Sequence, residues 1–282
     1  MIGLRKCLVG GGSVALCLAL SLPASGGKLH EATGESASIS SSGGFNGGGG
    51  LYYEDNKSYW INKIEGRGVR PKISSTRKFA GSYALRTWVA RGGNDQKSRS
   101  ELYLVEDGQW WSNQTRYIGL AFYVPTWVDF TPGKYTVFMQ VQQGPVTPSV
   151  ALEAWHDKND RSKFKLKFMR RWGSGNADGG NGYAPNSNMG SFEKGQWHQF
   201  MVKVKANYAG GGEAKLWRKE GGNWKLLSEY YGKLGNNWSS DKAKNNSLNV
   251  KYGLYCAGNQ GDDVEFFHDN VRFSTDWAGA QP

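Results

Sequence analysis

Residues 163–171 read KFKLKFMRR. Positions 163, 165, 167 and 171 are cationic and 164, 166 and 168 are apolar. This period of two gives one apolar and one charged face only on a β-strand; a helix would spread the same residues around its circumference. The segment therefore needs a core on one side and solvent or a ligand on the other. Comparable strand-like stretches, separated by Gly and Asn turn signals, run over 82–90, 100–105, 116–124, 135–143, 150–155, 197–205, 214–218, 250–256 and 264–273. Convincing long helical periodicity is absent. The 12 Trp, 14 Tyr and 12 Phe suit strands and stacking surfaces. About ten strands predict an all-β fold, a β-jelly-roll sandwich of two antiparallel sheets.

Arg5 and Lys6 precede a mostly apolar stretch at 8–22, and Pro23, Ala24, Ser25 and Gly26 follow it. That order predicts a signal peptide over 1–25, with secretion to the cell exterior or, in a Gram-negative cell, to the periplasm; an N-terminal membrane anchor is the alternative. Beyond it no apolar run approaches the ~20 residues of a membrane helix, so no membrane partner is expected after cleavage. Residues 26–50 read as a Ser/Gly-rich linker and 51–282 as one domain. Cys7 and Cys17 fall in the leader. Cys256 is then the only cysteine of the exported chain, which excludes an internal disulfide and reads as a small buried hydrophobe. The Gly/Asn-rich segment 173–190 reads as a long loop, a lid or a plain surface loop.

With 35 Lys and Arg against 24 Asp and Glu, the net charge is +11, which suits a polyanionic partner. Nucleic acid fits the charge equally, but no nucleic-acid motif is present, and an exported protein seldom meets nucleic acid as its purpose. His30, His156, His198 and His268 lack metal-ligand spacing; no metal or cofactor is expected, and a structural calcium is not readable. There is no G-x-S-x-G elbow and no P-loop. Asp263 and Glu265 have the spacing of paired glycosidase carboxylates, with nothing beside them that marks a cleft. Three segments group polar residues on one strand face: Arg99 with Glu101, which could hold the guanidinium; Gln140 with Gln142; and Lys251, Gly253 and Tyr255, with Gly253 leaving room beside the tyrosine. Together with the cationic face of 163–171 they suggest an anion-binding groove.

In this order, the 99–101, 140–142 and 251–255 segments resemble the R-x-E, Q-x-H and K-x-G-x-Y strands of the β-jelly-roll polysaccharide lyases. The nearest group is the heparin lyase I-like and glucuronan lyases, with alginate lyases more distant. The resemblance spans most of 80–273. It includes 117–125, a strand ending in Val-Pro, the Gly-x-Trp-His of 195–198, and 268–272. It implies β-elimination at a uronic acid of an anionic polysaccharide. Carried over by position, Arg99, Gln140 and Gln142 would neutralise the uronate carboxylate and stabilise the enolate-like transition state. Tyr255 would carry the proton; an ordinary tyrosine pKa near 10 calls for cations such as Lys251 or Arg99 beside it. Glu101 would hold Arg99, and Lys165, Lys167 and Arg171 would bind neighbouring uronates.

Gln142 stands where many members of that group carry the catalytic histidine, which puts the base, and activity itself, in question. In glucuronate and mannuronate the C5 hydrogen and C4 oxygen lie on the same side, so one residue can be both base and acid. In iduronate and guluronate they lie on opposite sides and two residues are needed. Tyr255 without a histidine at 142 therefore points to a β-1,4-linked glucuronate or mannuronate polymer, unless His156 or His198 reaches the site. A non-catalytic carbohydrate-binding homologue and a glycoside hydrolase on the same fold are the competing readings. A monomer is the default for a secreted depolymerase.

Overall fold

The computed structural model describes residues 27–39, 51–54, 57–61, 64, 66–91, 97–104, 109–143, 148–173, 181–183, 187–236, 247–258 and 261–282. The leader at 1–25 lies outside them, as do 40–50 of the expected linker and much of 173–190. In chain order the strands are β1 (Lys28–Ala32), β2 (Ser38–Ile39), β3 (Leu51–Glu54), β4 (Lys57–Ile61), β5 (Gly68–Ser74), β6 (Ala84–Val89), β7 (Lys97–Leu104), β8 (Gln109–Trp110), β9 (Thr115–Tyr123), β10 (Tyr135–Gln143), β11 (Val150–His156), β12 (Lys163–Gly173), β13 (Asn181–Tyr183), β14 (Ser187–Glu193), β15 (Trp197–Lys205), β16 (Asn207–Glu220), β17 (Asn223–Asn236), β18 (Leu248–Ala257) and β19 (Val264–Ser274). Among the described residues there is no helix.

One sheet runs β5-β6-β19-β9-β15-β16-β17, with β1 continuing beside the second half of β19. The other runs β2-β3-β4-β7-β18-β10-β11-β12-β14, with β8 beside the start of β18. The fold is the β-jelly-roll sandwich read from the alternation, with one departure. Trp172 and Gly173 of β12 run parallel to Gly235 and Asn236 of β17, a short seam that stitches the two sheets along one side.

Alternation sorts the faces. Phe164, Leu166 and Phe168 of β12 are fully buried between the sheets, while Lys163, Lys165 and Lys167 point away from them. Phe122 of β9 stacks on Phe138 of β10 across the interlayer at 3.8 Å and meets Phe164 edge-on at 6.0 Å. Each fully buried side chain of this size contributes roughly 1.5–3 kcal/mol, so the aromatic interlayer can hold the sandwich without a cross-link. Cys256 lies in it fully buried, and burial pushes its thiol up to about 12, so it is no nucleophile.

The folded chain begins earlier than composition suggested. β1 pairs with β19 and buries His30 and Ala32, and the Gly27 amide donates to the Asp276 carboxylate at 2.6 Å. Ser38 and Ile39 pair with Tyr53 and Tyr52. The expectation of a linker from residue 26 is therefore corrected for 27–39: Ser/Gly-rich surroundings concealed a short strand whose partner lies at the far end of the chain. Likewise β13 and β14 arise within the expected 173–190 loop, and β14 lines up along β12.

Candidate active site

The second sheet turns one face away from the core. β7 presents Arg99, Glu101 and Tyr103 on it, β18 presents Asn249, Lys251, Gly253 and Tyr255, and β11 presents Ala151, Glu153 and Trp155. Their neighbours Leu102, Leu152, Tyr252 and Leu254 belong to the interlayer core. On β10, Tyr135 and Val137 share this face with Gln140 and Gln142, odd positions with even. The ladder is irregular between Val137 and Met139 on both sides of β10, and such a bulge re-aims the side chains beyond it. Phe138, Met139 and Val141 are thereby left in the core.

Register then sets the site out in rows. One row is Arg99, Tyr255, Val137, Glu153 and Lys167; another is Tyr103, Lys251, Gln140, Ala151 and Met169, with the Glu101–Gly253 pair between them on β7 and β18. Gln142 faces Asn249 in a third row. Lys165 lies on the same face of β12 as Lys167, and alternation puts Arg171 there too, but it is buried where β12 pairs with β13. Every site residue named from the sequence thus falls on one face: Arg99, Glu101, Gln140, Gln142, Lys165, Lys167, Arg171, Lys251 and Tyr255. The floor between the rows is apolar, with Val137, Ala151 and Met169 packed against Tyr135 and Tyr255.

Glu101 is 1% exposed and Gln140 3%. Gln140 Nε2 donates to Glu101 Oε1 at 2.5 Å, and Arg99 Nη1 stands 3.8 Å from Glu101 Oε2. One buried carboxylate thus orients an amide and a guanidinium, where the sequence suggested the guanidinium alone. The Arg99 guanidinium lies 4.4 Å from the centre of the Tyr255 ring, and Lys251 Nζ 5.5 Å from that of Tyr103. Gly253 has a different reason from the one expected. Its φ is +132°, and a Cβ there would fall 2.4 Å from Ser100 O and 2.8 Å from Glu101 Cα. The close approach of β7's backbone, rather than space for a ligand, demands glycine.

The sequence reading missed Glu153 and Tyr103. Glu153 is 5% exposed and accepts a hydrogen bond from Trp155 Nε1 at 2.9 Å. Burial raises its pKa, an effect offset in part by that bond and by the charge of Lys167. Lys167 Nζ sits 3.3 Å from the Trp155 ring centre, and Tyr135 packs 5.3 Å from the same ring. The available signal was a lone acid in the apolar stretch VALEAW. Tyr103 has its pKa raised by burial, against a lowering hydrogen bond with Gln109.

None of the chain's four histidines lies on this face. His198 and His268 are core groups: burial lowers them to about 4 and about 3, and their Nε2 atoms lie 2.8 Å from Glu193 O and 3.1 Å from Phe138 O. His156 projects from the opposite face of β11, 3.9 Å from the Asp129 carboxylate, and His30 belongs to β1 in the other sheet. Asp263 and Glu265 are also remote: Glu265 binds Arg86, and Asp263 accepts from the Arg91 amide at 2.5 Å. Among the described residues, no three or more His, Cys, Asp or Glu gather where they could hold a metal ion.

The chain is similar in fold to the endo-β-1,4-glucuronan lyase of the fungus Trichoderma reesei, with a TM-score of 0.63 and 16% identity over 87% of this chain and 98% of that one. It is also similar to the catalytic domain of the glycoside hydrolase family 131 protein from Coprinopsis cinerea (TM-score 0.52, 13% identity, 79% and 86% covered). The alginate lyase of Klebsiella pneumoniae follows at a TM-score of 0.47, with 12% identity and 70% and 83% covered. No curated protein matches by sequence. Identities this low speak for the fold alone, but the polysaccharide lyase family model matches residues 53–272. Because that match runs from the β3–β4 hairpin into the last strand and takes in every row of the groove, the chain belongs to the polysaccharide lyase family.

Proposed function

We propose that the protein is an exported lyase that cleaves a β-1,4-linked glucuronate or mannuronate polymer by β-elimination, with Tyr255 as both base and acid. The observation that carries this reading is the two rows on either side of the Glu101–Gly253 pair, in which Arg99 faces Tyr255 and Gln140 faces Lys251. A uronate bound over them would rest its carboxylate on Arg99, Gln140 and Gln142. The Tyr255 phenolate then removes the C5 proton. The C5 electrons form the C4–C5 double bond as the C4–O bond breaks, and the tyrosine returns its proton to the leaving oxygen. Arg99 above the ring stabilises negative charge on the tyrosine, and the donors stabilise the charge growing on the carboxylate. Lys165 and Lys167 would hold neighbouring uronates along β12.

The absence of histidine from this face supports the single-tyrosine scheme, and with it a substrate whose departing groups share a side. The Trichoderma reesei protein of similar fold is an endo-β-1,4-glucuronan lyase, which agrees with that choice. The test is ultraviolet absorbance of the unsaturated uronate on glucuronan, poly-mannuronate, poly-guluronate, heparin and hyaluronan. A rise on glucuronan or poly-mannuronate, lost in Tyr255→Phe, is expected. A rise on heparin or poly-guluronate would show a second proton-transfer group. Binding with no rise on any polymer would identify a non-catalytic homologue, and reducing ends without unsaturation a hydrolase. Export predicts a mature N-terminus near residue 26.

A further inference from the structure

The first sheet carries a cleft of its own. It has a volume of about 370 Å³, and Thr76, Arg77, Arg86, Trp127, Glu265 and Phe267 line it. That volume is within the ~300–1,000 Å³ of small-ligand sites. Arg86, Glu265 and Phe267 are the outward residues of β6 and β19, whose neighbours Leu85, Val264 and Phe266 face the interlayer core. The cleft therefore opens on the opposite side of the sandwich from the groove and shares no residue with it.

Its lining has the parts of a recognition site. Trp127 is 55% exposed, a large ring left in water. Arg86 is bound through Nε to Glu265 and lies 4.8 Å from the Trp88 ring centre, which fixes its plane. Among the described residues its terminal nitrogens have no hydrogen-bond partner. Arg77 donates to Thr76 O at 3.3 Å and lies 5.7 Å from the Tyr123 ring centre. Glu265 neutralises one guanidinium, so the cleft keeps a net positive charge.

We propose that this cleft is a second, non-catalytic binding site for an acidic saccharide. A sugar ring lies on Trp127, and its carboxylate takes the paired donors of Arg86, with Arg77 supplying the net charge. Two sites on opposite faces of one rigid sandwich would let the protein hold two stretches of polymer at once and dissociate more slowly than either site alone allows. The choice of a uronate as ligand rests on the lyase reading of the groove.

The test is calorimetric titration of the Tyr255→Phe protein with a glucuronate tetrasaccharide. Two molecules bound per chain are expected. Trp127→Ala with Arg77→Gln, both exposed positions, should leave one, and Lys165→Gln with Lys167→Gln should weaken the other. A single molecule bound by the parent, two bound by the Trp127/Arg77 variant, no binding, or equal binding of a neutral cello-oligosaccharide would each overturn the proposal. Should no polymer give unsaturated product while the titration still counts two sites, the lyase reading fails and the second site stands. Turnover with one molecule bound per chain keeps the lyase reading and removes the second site.

Discussion

On β16 the outward residues include Glu213, Lys215 and Trp217; on β12 they are Lys163, Lys165 and Lys167, while Arg171 is buried. Around β16 the cations are answered by the protein itself. Lys215 Nζ lies 3.3 Å from Glu213 and 3.6 Å from Glu229, Lys203 reaches Glu213 at 2.7 Å, and Trp217 is covered at 4.8 Å by Trp277 of the C-terminal segment. On β12 the start of the strand is answered in this way, where Lys163 meets Asp160 at 3.0 Å and Glu193 at 3.3 Å. Lys165 and Lys167 have no ion pair within 4.0 Å among the described residues, and Lys167 rests on an aromatic ring. Part-buried pairs at a protein surface, such as those of Lys203 and Lys215 with Glu213, stabilise by only about 1 kcal/mol each, so the difference matters little for folding. It matters for what each face can receive. Around β16 the first sheet neutralises its own charge, whereas the groove keeps cations in register for an external anion.

The largest difference between the two faces is expected at their tyrosines. Tyr255→Phe should lower kcat on glucuronan or poly-mannuronate by at least ~10²–10⁴-fold, the usual loss for an acid–base group, with an unchanged melting temperature. Tyr231→Phe, on the self-neutralised arm and 61% exposed, should leave kcat unchanged. Equal effects would end the assignment of chemistry to the groove.

The first sheet should reveal itself through acid instead. His198 on β15 and His268 on β19 are held neutral by burial, at about 4 and about 3. In the unfolded chain they protonate near 6.5, so below that pH the unfolded state binds more protons and stability falls as pH falls. The loss is on the order of 3 kcal/mol per histidine by pH 4. Urea midpoints at pH 7 and pH 4.5 should differ less in His268→Phe than in the parent. Because no histidine faces the groove, the pH profile of kcat should not follow this loss over the range where the protein stays folded.

How much of this was legible follows the range of the interactions. The β12 alternation announced its own two faces, and R-x-E, Q-x-Q and K-x-G-x-Y are i, i+2 or i, i+4 patterns that any strand converts into shared faces. β1 was hidden because its partner β19 is remote in sequence, and β17 because a hairpin arm with exposed residues on both faces has no clean period. In the site, the i, i+2 rule placed Gln140 beside Gln142, but it could not bring Val137 to the same face, which takes the irregularity between Val137 and Met139. Glu153 looked like an ordinary acid until the ladder put it opposite Lys167. Gly253 needs its glycine for a reason that only the fold shows, the approach of β7's backbone against it.

A smaller effect is expected at Glu101, which acts on substrate only through its neighbours. Glu101→Gln keeps the size and removes the charge that holds Arg99 and Gln140. Misplaced donors at this distance from the chemistry cost up to ~10²-fold, so kcat should fall by roughly 10–100-fold, with KM changing less. A loss confined to KM would make Glu101 a binding residue instead.

The smallest effect tests the opening contrast most directly. Lys165→Gln with Lys167→Gln removes two cations from β12; Lys203→Gln with Lys215→Gln removes two from β15 and β16 of the first sheet. The net charge of the protein is the same in both variants, so long-range attraction of a polyanion is weakened about equally. Only the β12 pair should raise KM for the polymer, by about 10-fold, the equivalent of ~1.4 kcal/mol. It should also flatten the dependence of KM on salt, because fewer contacts to the polyanion remain to be screened. If both variants raise KM alike, the protein uses its overall charge and not the register of β12, and the two faces differ in arrangement without differing in function.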